Sequence, residues 1–296
     1  MKQAQRGAAL LVLVGLIGLL AMATLARALS SPPGAEAALA TESALARARE
    51  ALIAYASWED NSPGSLPCPD LNNDGVAELS CSEDVGRLPW RTLGLGPLTD
   101  GAGECLWYAR SPTFSNGIPT SQRDGSAGRP FLNPATPGQI TEAGSTGATG
   151  ALLVAIVIAP GLPLAGQTRG AANGLSGCRT GDIGQFVEDV ELGGRLYRHS
   201  DGQSAVMLLP GERFNDRVLG ISPERHFATV SARVLGQVGV RERDGGTPTE
   251  AWWAQNQWCA HLCATGTGGR IALPDGSAVY RALAVLPACA PPCSGS

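Results

Sequence analysis

The sequence predicts an α+β protein in which a long N-terminal hydrophobic helix precedes a β-rich globular domain stapled by disulfides. Three observations carry this prediction. An uncharged apolar run covers Ala8 to Ala26, a segment rich in helix-forming residues follows over 34–59, and all eight cysteines lie beyond both. The 296 residues are 44% hydrophobic, which suffices for a real core over 60–296.

The apolar run is long enough for a transmembrane helix, which we place at residues 8–29. At about 1.5 Å per residue, its length approaches the roughly 30 Å hydrocarbon thickness of a bilayer. Lys2 and Arg6 precede it, so the positive-inside rule puts the N-terminus in the cytoplasm. This predicts a single-pass inner-membrane protein with a periplasmic globular domain. The alternative is an ordinary signal peptide cut after Ala28.

A second helix is predicted over residues 34–59, after a bend at Pro32-Pro33. Alanine, leucine, glutamate and arginine dominate this segment, and they are strong helix formers. Its apolar residues recur near helical spacing, which is typical of an amphipathic helix. A signal peptide that is cut off does not need such a continuation.

The N-terminus resembles that of type IV pilins and type II secretion pseudopilins. A short basic leader, residues 1–7, ends in Gly7, and the small residue Ala8 opens the apolar helix. The resemblance implies that a prepilin peptidase cuts between Gly7 and Ala8 and that Ala8 is then methylated. The glutamate usual at the fifth mature position is Val12 here, and subunits that lack it are typically minor or tip components.

Several later segments are similar to a group of poorly characterised pilin-like envelope proteins. They include GRLPWRTLGL (86–95), VAIVIAPGLPLAGQTRG (154–170) and NDRVLGISPERHFATVSARVLGQV (215–238). Together the resemblances imply a minor pilin-like or pseudopilin-like subunit with an assembly role and no catalysis. Its partners would be the inner membrane, the prepilin peptidase and other pilin or pseudopilin subunits. The resemblance also implies that the subunit can become part of an extracellular filament.

Two rival functions remain open. An exported binding or adhesive protein would share the cysteines but begin near Leu29. An envelope enzyme is disfavoured because the chain has only three histidines and no Gly-x-Ser-x-Gly motif. The net charge of −4 gives no reason to expect nucleic acid as a partner.

The body after residue 60 reads as short strands and turns. The apolar run Leu152–Ile158 predicts one buried strand, and the turn Pro274-Asp275-Gly276 predicts a hairpin between 271–273 and 277–286. Pro223–Val238 repeats near every fourth residue, which favours a short helix. Residues 112–149 are polar and aperiodic, so we expect a long surface loop there.

The segment 70–78 has the oxygen spacing of a calcium-binding loop. Side-chain oxygens at alternate positions, followed by glycine, are how an EF-hand-type loop wraps the ion. The candidate ligands are Asp70, Asn72, Asp74, the Val76 carbonyl and Glu78. Cys81 stands where a bidentate glutamate belongs, with Glu83 or Asp84 as substitutes. The alternative is a plain polar turn held by its own hydrogen bonds.

The eight cysteines predict disulfides in an exported protein. They are Cys68, Cys81, Cys105, Cys178, Cys259, Cys263, Cys289 and Cys293. A four-thiolate zinc site is disfavoured because the paired spacing is Cys-x-x-x-Cys. Roughly a hundred pairings are possible, and we expect 68 with 81, 105 with 178, and the last four around the C-terminal hairpin. Trp252, Trp253 and Trp258 are expected to pack in the core or to cover these bridges; the alternative is an exposed patch for a neighbouring subunit or a ligand.

Overall fold

The structure, a computed structural model, describes most of the chain after residue 33 and one short stretch before it. The described residues are 12–22, 24, 34–59, 62–119, 122–126, 129–143, 149–174, 176–188, 196–198, 215–243, 253, 255–283 and 289–293. The leader 1–7 and the processing pair Gly7 and Ala8 lie outside them. The mature N-terminus therefore stays a prediction.

The predicted long hydrophobic helix is wrong. Residues 12–22 are helical, and their large apolar side chains are 54–73% exposed. Within the described residues, no helix joins the length and the apolarity that crossing a membrane requires. This finding overturns the predicted fold class in its N-terminal part, the transmembrane span 8–29 and the single-pass inner-membrane location.

Helix α1 covers Ala35–Trp58 and corresponds to the predicted amphipathic helix. One stripe of its surface is buried, at spacings of three and four residues that bring side chains onto one face. That stripe consists of Thr41, Ala44, Leu45, Ala48, Leu52, Ile53, Ala56 and Ser57. The helix ends at Glu59, whose backbone is extended.

The central sheet has four antiparallel strands in the order β1-β2-β5-β7. They are β1 (Val85–Arg87), β2 (Trp107–Arg110), β5 (Ala155–Ala159) and β7 (Arg217–Ile221). Helix α1 packs on β5 and β7, and helix α2 (Pro223–Arg243) packs beside α1. Val157 faces this helical core, whereas Ile156 and Ile158 face a second apolar cluster around Trp107 and Phe186. Both faces of β5 are therefore buried.

The apolar run at 152–158 belongs to two strands, so the single predicted strand is wrong. Strand β4 (Thr149–Leu153) ends just before β5 begins. It lies in a separate sheet of order β4-β3-β6, with β3 at Ile140–Ala143 and β6 at Leu196–Arg198. Val154 lies between the two strands; its N–H donates to the Ile221 carbonyl, and its carbonyl accepts the Ser111 N–H.

A third sheet forms the C-terminal part of the described chain. It is a meander of β8 (Leu262–Thr265), β9 (Gly268–Ala272) and β10 (Ala278–Ala282). The predicted hairpin is confirmed as β9 and β10, and it turns at residues 274–276. The helix expected at 223–238 also forms, and as α2 it continues to Arg243.

The expected surface loop at 112–149 is more ordered than its composition indicates. A 3₁₀ turn covers Pro112–Phe114, and β3 lies within the same range. The buried Arg123 guanidinium donates to the carbonyls of Thr113, Ser115 and Pro130. One cation thus organises a stretch that has no periodic pattern.

Four disulfides close the described cysteines into pairs, which confirms the predicted disulfide bonding. Cys68 joins Cys81 and Cys105 joins Cys178, as expected. Around the C-terminal hairpin the pairs are 259 with 289 and 263 with 293. Each bridge closes a loop and restricts the unfolded chain.

Candidate functional site

The predicted calcium loop is a tight turn built around one buried carboxylate. Asp70 Oδ1 accepts the backbone N–H groups of Asn72 at 3.1 Å, Asn73 at 2.7 Å and Asp74 at 3.3 Å. Its Oδ2 accepts the N–H of Gly75 at 2.7 Å. Burial raises the pKa of the Asp70 carboxyl, and these backbone donors oppose that rise. Loop amides thus occupy both oxygens of the first candidate ligand.

The other candidate ligands also bond within the loop. Asn72 Oδ1 accepts the Asp74 N–H at 3.0 Å, and Asp74 Oδ1 accepts the Val76 N–H at 2.7 Å. Glu78 Oε1 accepts the Leu71 N–H at 3.3 Å. This ladder is the hydrogen-bonding pattern of a plain Asx turn. Among the residues that the structure describes, no group of three or more His, Cys, Asp or Glu side chains converges on a metal position.

The rest of the fold holds this loop firmly. Gly75 has a φ of 84°, and a Cβ there would lie 2.3 Å from the Trp90 ring. The Gly75 carbonyl accepts the N–H groups of Arg91 and Thr92. Across the loop, the Asn73 amide donates to the carbonyl of residue 178, inside the second disulfide. The turn is therefore fixed on two sides.

A cleft of about 400 Å³ opens beside the loop. Its walls are residues 70–73, Glu83, strand β1 (Val85–Arg87), Trp107 and the segment 179–183. Charged side chains of both signs line it, among them Glu83, Arg179 and Asp182. Of the two substitutes expected for the twelfth calcium position, Glu83 lines the cleft, whereas Asp84 pairs with the buried Arg110 at 3.2 Å.

Arg87 lines this cleft and contacts two aromatic rings. Its guanidinium carbon is 4.1 Å from the ring centroids of both Trp107 and Phe186. Its N–H groups donate to the carbonyls of Cys105 at 3.1 Å and Arg179 at 2.6 Å. Burial lowers the pKa of Arg87 to about 10, against the opposing charge of a nearby glutamate. With two backbone carbonyls and two aromatic rings in contact with its guanidinium, Arg87 acts as a structural brace.

An ion-pair cluster is centred on the buried Glu104 carboxylate. Glu104 Oε1 is 3.3 Å from Arg169 and 3.4 Å from Arg179. Arg169 also donates to the carbonyls of Gly161 and Gln185. No sequence motif marks this cluster, because its members come together only when distant loops pack.

The two described histidines do not line the cleft. His226 is fully buried in α2, and its Nε2 lies 2.8 Å from the carbonyl oxygen of Gly64. His261 is half-buried in a short 3₁₀ turn, and burial lowers its pKa. His199 lies outside the described residues.

The described tryptophans of the C-terminal cluster are core residues. Trp253 and Trp258 are buried and stacked, with ring centroids 6.3 Å apart. The Trp253 indole N–H donates to the Cys259 sulfur at 2.9 Å. The expected cover over the bridges is therefore present, whereas Trp252 lies outside the described part of the chain.

No protein-family model, curated protein or solved structure matches this chain. The resemblance to pilin-like proteins accordingly depends on the segments quoted above.

Proposed function

We propose that the chain is a minor pilin-like or pseudopilin-like subunit, with a structural role in a type IV pilus or type II secretion filament. The observation that carries the proposal is the helical stretch 12–22. Each of its large apolar side chains is more than half exposed. Contiguous exposed apolar surface of this kind marks a site of association in proteins. We propose that the same stretch of neighbouring subunits covers it.

The core packing of the folded body supports separate roles for residues 12–22 and for the globular domain. Leu45 and Leu52 of α1 are already buried against the central sheet and α2. No residue of 12–22 belongs to either buried apolar cluster of the described body. Its exposed apolar side chains are therefore available for contacts between subunits.

A second candidate is an exported binding or adhesive protein with an ordinary cleaved signal peptide. The cleft beside loop 70–78 favours it, because concave sites of a few hundred Å³ are where small ligands bind. The disulfides suit either function, since both place the body in an oxidising compartment.

Mass spectrometry of the mature N-terminus separates the two candidates. The full chain is expressed in a host with a prepilin peptidase. We expect a product that begins at methylated Ala8. Gly7→Val should block this cut, whereas Gly15→Val, a matched change in open space, should leave it intact. A product that starts after Ala28 would refute the subunit proposal.

We also propose calcium as the ion of loop 70–78. The support is the Asp70-x-Asn72-x-Asp74-Gly75 spacing, together with the positive φ that the sixth position adopts. Asp70, Asn72, Asp74, the Val76 carbonyl and Glu78 would hold it. A bound ion would supply charge that tightens the loop.

A chelator tests the calcium proposal. We expect EDTA to lower the melting temperature, and calcium to restore it. Asp74→Ala should abolish this response. Asp275→Ala, in an exposed Asx turn of the C-terminal hairpin, should preserve it. An unchanged melting temperature in EDTA would reject a stabilising calcium site.

A further inference from the structure

Two carboxyl groups meet where the segment 160–188 touches the start of β7. The Glu188 N–H donates to Asp216 Oδ2 at 2.8 Å, and the Asn215 N–H donates to Glu188 Oε2 at 3.1 Å. Because Asn215 directly precedes Asp216 in the chain, these two hydrogen bonds hold the two carboxyl groups beside each other. Each acid thus binds the backbone of the other's segment.

The surroundings disfavour two negative charges here. Asp216 is only 1% exposed, and its Oδ1 is buried without a donor from the described residues. Glu188 is half-buried, and its Oε1 accepts the Gln167 side-chain amide. Buried like charges in contact repel each other, so one of such a pair normally keeps its proton.

The two nearby arginines, Arg169 and Arg217, form ion pairs with other carboxylates. Arg169 is the cation that acts on both carboxyls, but its guanidinium pairs with Glu104 and donates to the Gly161 carbonyl. Arg217, next in sequence to Asp216, pairs with Glu42 on α1. Among the described side chains, neither arginine hydrogen-bonds to Glu188 or Asp216.

We propose that Glu188 and Asp216 share one proton in the folded protein and form a pH-sensitive clasp between the two segments. The proton resides on Asp216 Oδ1, the oxygen that accepts no hydrogen bond from the described residues, and is donated to the Glu188 carboxylate. Loss of this proton leaves two adjacent carboxylates and weakens the join. Asp216 is the donor because its other oxygen already accepts the Glu188 N–H.

The pH response has a definite sign. Burial raises the pKa of both carboxyls, that of Asp216 more strongly. An unfolded chain loses these protons near pH 4, whereas the folded pair keeps one to higher pH. The clasp therefore stabilises fully in acid, and its contribution falls as pH rises through the pair's own pKa. Within that window, each pH unit changes the unfolding constant by up to about tenfold.

The test compares the full-length chain with Asp216→Asn over a series of pH values. The amide imitates the protonated acid and does not titrate. We expect the ratio of the two unfolding constants to change several-fold per pH unit above about pH 4, with the variant gaining relative stability as pH rises. Asp275→Asn is the matched control, because that exposed carboxyl faces no partner acid and has a lowered pKa. A ratio for Asp216→Asn that stays constant over this range overturns the proposal.

Infrared spectroscopy gives a readout that does not depend on the variant's stability. As pH rises above about 4, where exposed carboxyls ionise, the wild-type chain should retain a carboxylic-acid C=O band that Glu188→Gln and Asp216→Asn both lack. If Asp216→Asn does not fold, the wild-type spectrum and Glu188→Gln decide. A wild-type acid band that disappears over the same pH range as the exposed carboxyls refutes the shared proton.

Discussion

Replacement of His226 by glutamine should remove an acid-sensitive weakness from the helical core. The imidazole is fully buried, and Phe114 and Phe227 lie edge-on to it with centroids 5.4 Å and 5.1 Å away. Its Nε2 meets the Gly64 carbonyl, while Nδ1 is buried and has no hydrogen-bond partner among the described residues. A proton added at Nδ1 would bring a positive charge into apolar surroundings.

The magnitude follows from the pKa of this imidazole. Burial lowers the pKa of His226 from 6.5 to about 4, against the hydrogen bond to Gly64. Below pH 6.5 the unfolded chain takes up a proton that the folded chain refuses until about pH 4. Stability contributed by the neutral imidazole is therefore present above pH 6.5 and is lost as pH falls. Between about pH 8 and pH 5 the loss is roughly 2 kcal/mol.

The assay is urea unfolding of the intact disulfide-bonded chain, followed by tryptophan fluorescence at each pH. Glutamine can still donate to the Gly64 carbonyl but does not titrate. The wild type should lose about 2 kcal/mol relative to His226→Gln from pH 8 to pH 5. His261→Gln is the comparison, and its half-buried ring should give a smaller difference. If wild type and His226→Gln keep a constant difference across this range, the buried neutral imidazole is refuted.

Two further predictions concern the loop and the core. Gly75→Ala should destabilise the protein by more than the ~1–2 kcal/mol that a left-handed backbone costs by itself, because the added Cβ would overlap the Trp90 indole ring. Gly94→Ala is the control in the same urea experiment: its φ is 68° and the space around it is open, so it measures the cost of the left-handed backbone alone. Equal losses for the two variants would contradict the overlap. Leu52→Ala should lower the free energy of unfolding by about 2–5 kcal/mol, because it opens a cavity in the core. The control is Leu39→Ala on the same helix: that side chain is 70% exposed, so its loss should change stability by less than about 0.5 kcal/mol. Similar losses for both variants would contradict the packing of α1.

Local chemistry predicted several elements of the fold. Helix α1 follows from residues of high helix propensity with apolar spacing, and the C-terminal hairpin follows from Pro274-Asp275-Gly276. The bridge between Cys68 and Cys81 closes a short separation of 13 residues. In each case the signal and the structure lie within the same few residues, so no distant contact is needed to read it.

The remaining features depend on packing between distant segments. The run around Val154 has no periodicity that could show one strand ending and another beginning, because both faces of β5 are buried. The loop composition around Arg123 indicates exposure, whereas three carbonyls from neighbouring turns enclose that cation. The pairing of Glu188 with Asp216 joins positions 28 residues apart.

The two C-terminal disulfides have a consequence for a chain exposed to proteases. Each joins two cysteines that are 30 residues apart in sequence, one before and one after the exposed turn at 274–276. A peptide bond cut in that turn would leave the two fragments covalently joined twice over. Such a nicked molecule would migrate as one piece in non-reducing electrophoresis and separate only after reduction, so damage at this tip need not release the end of the protein.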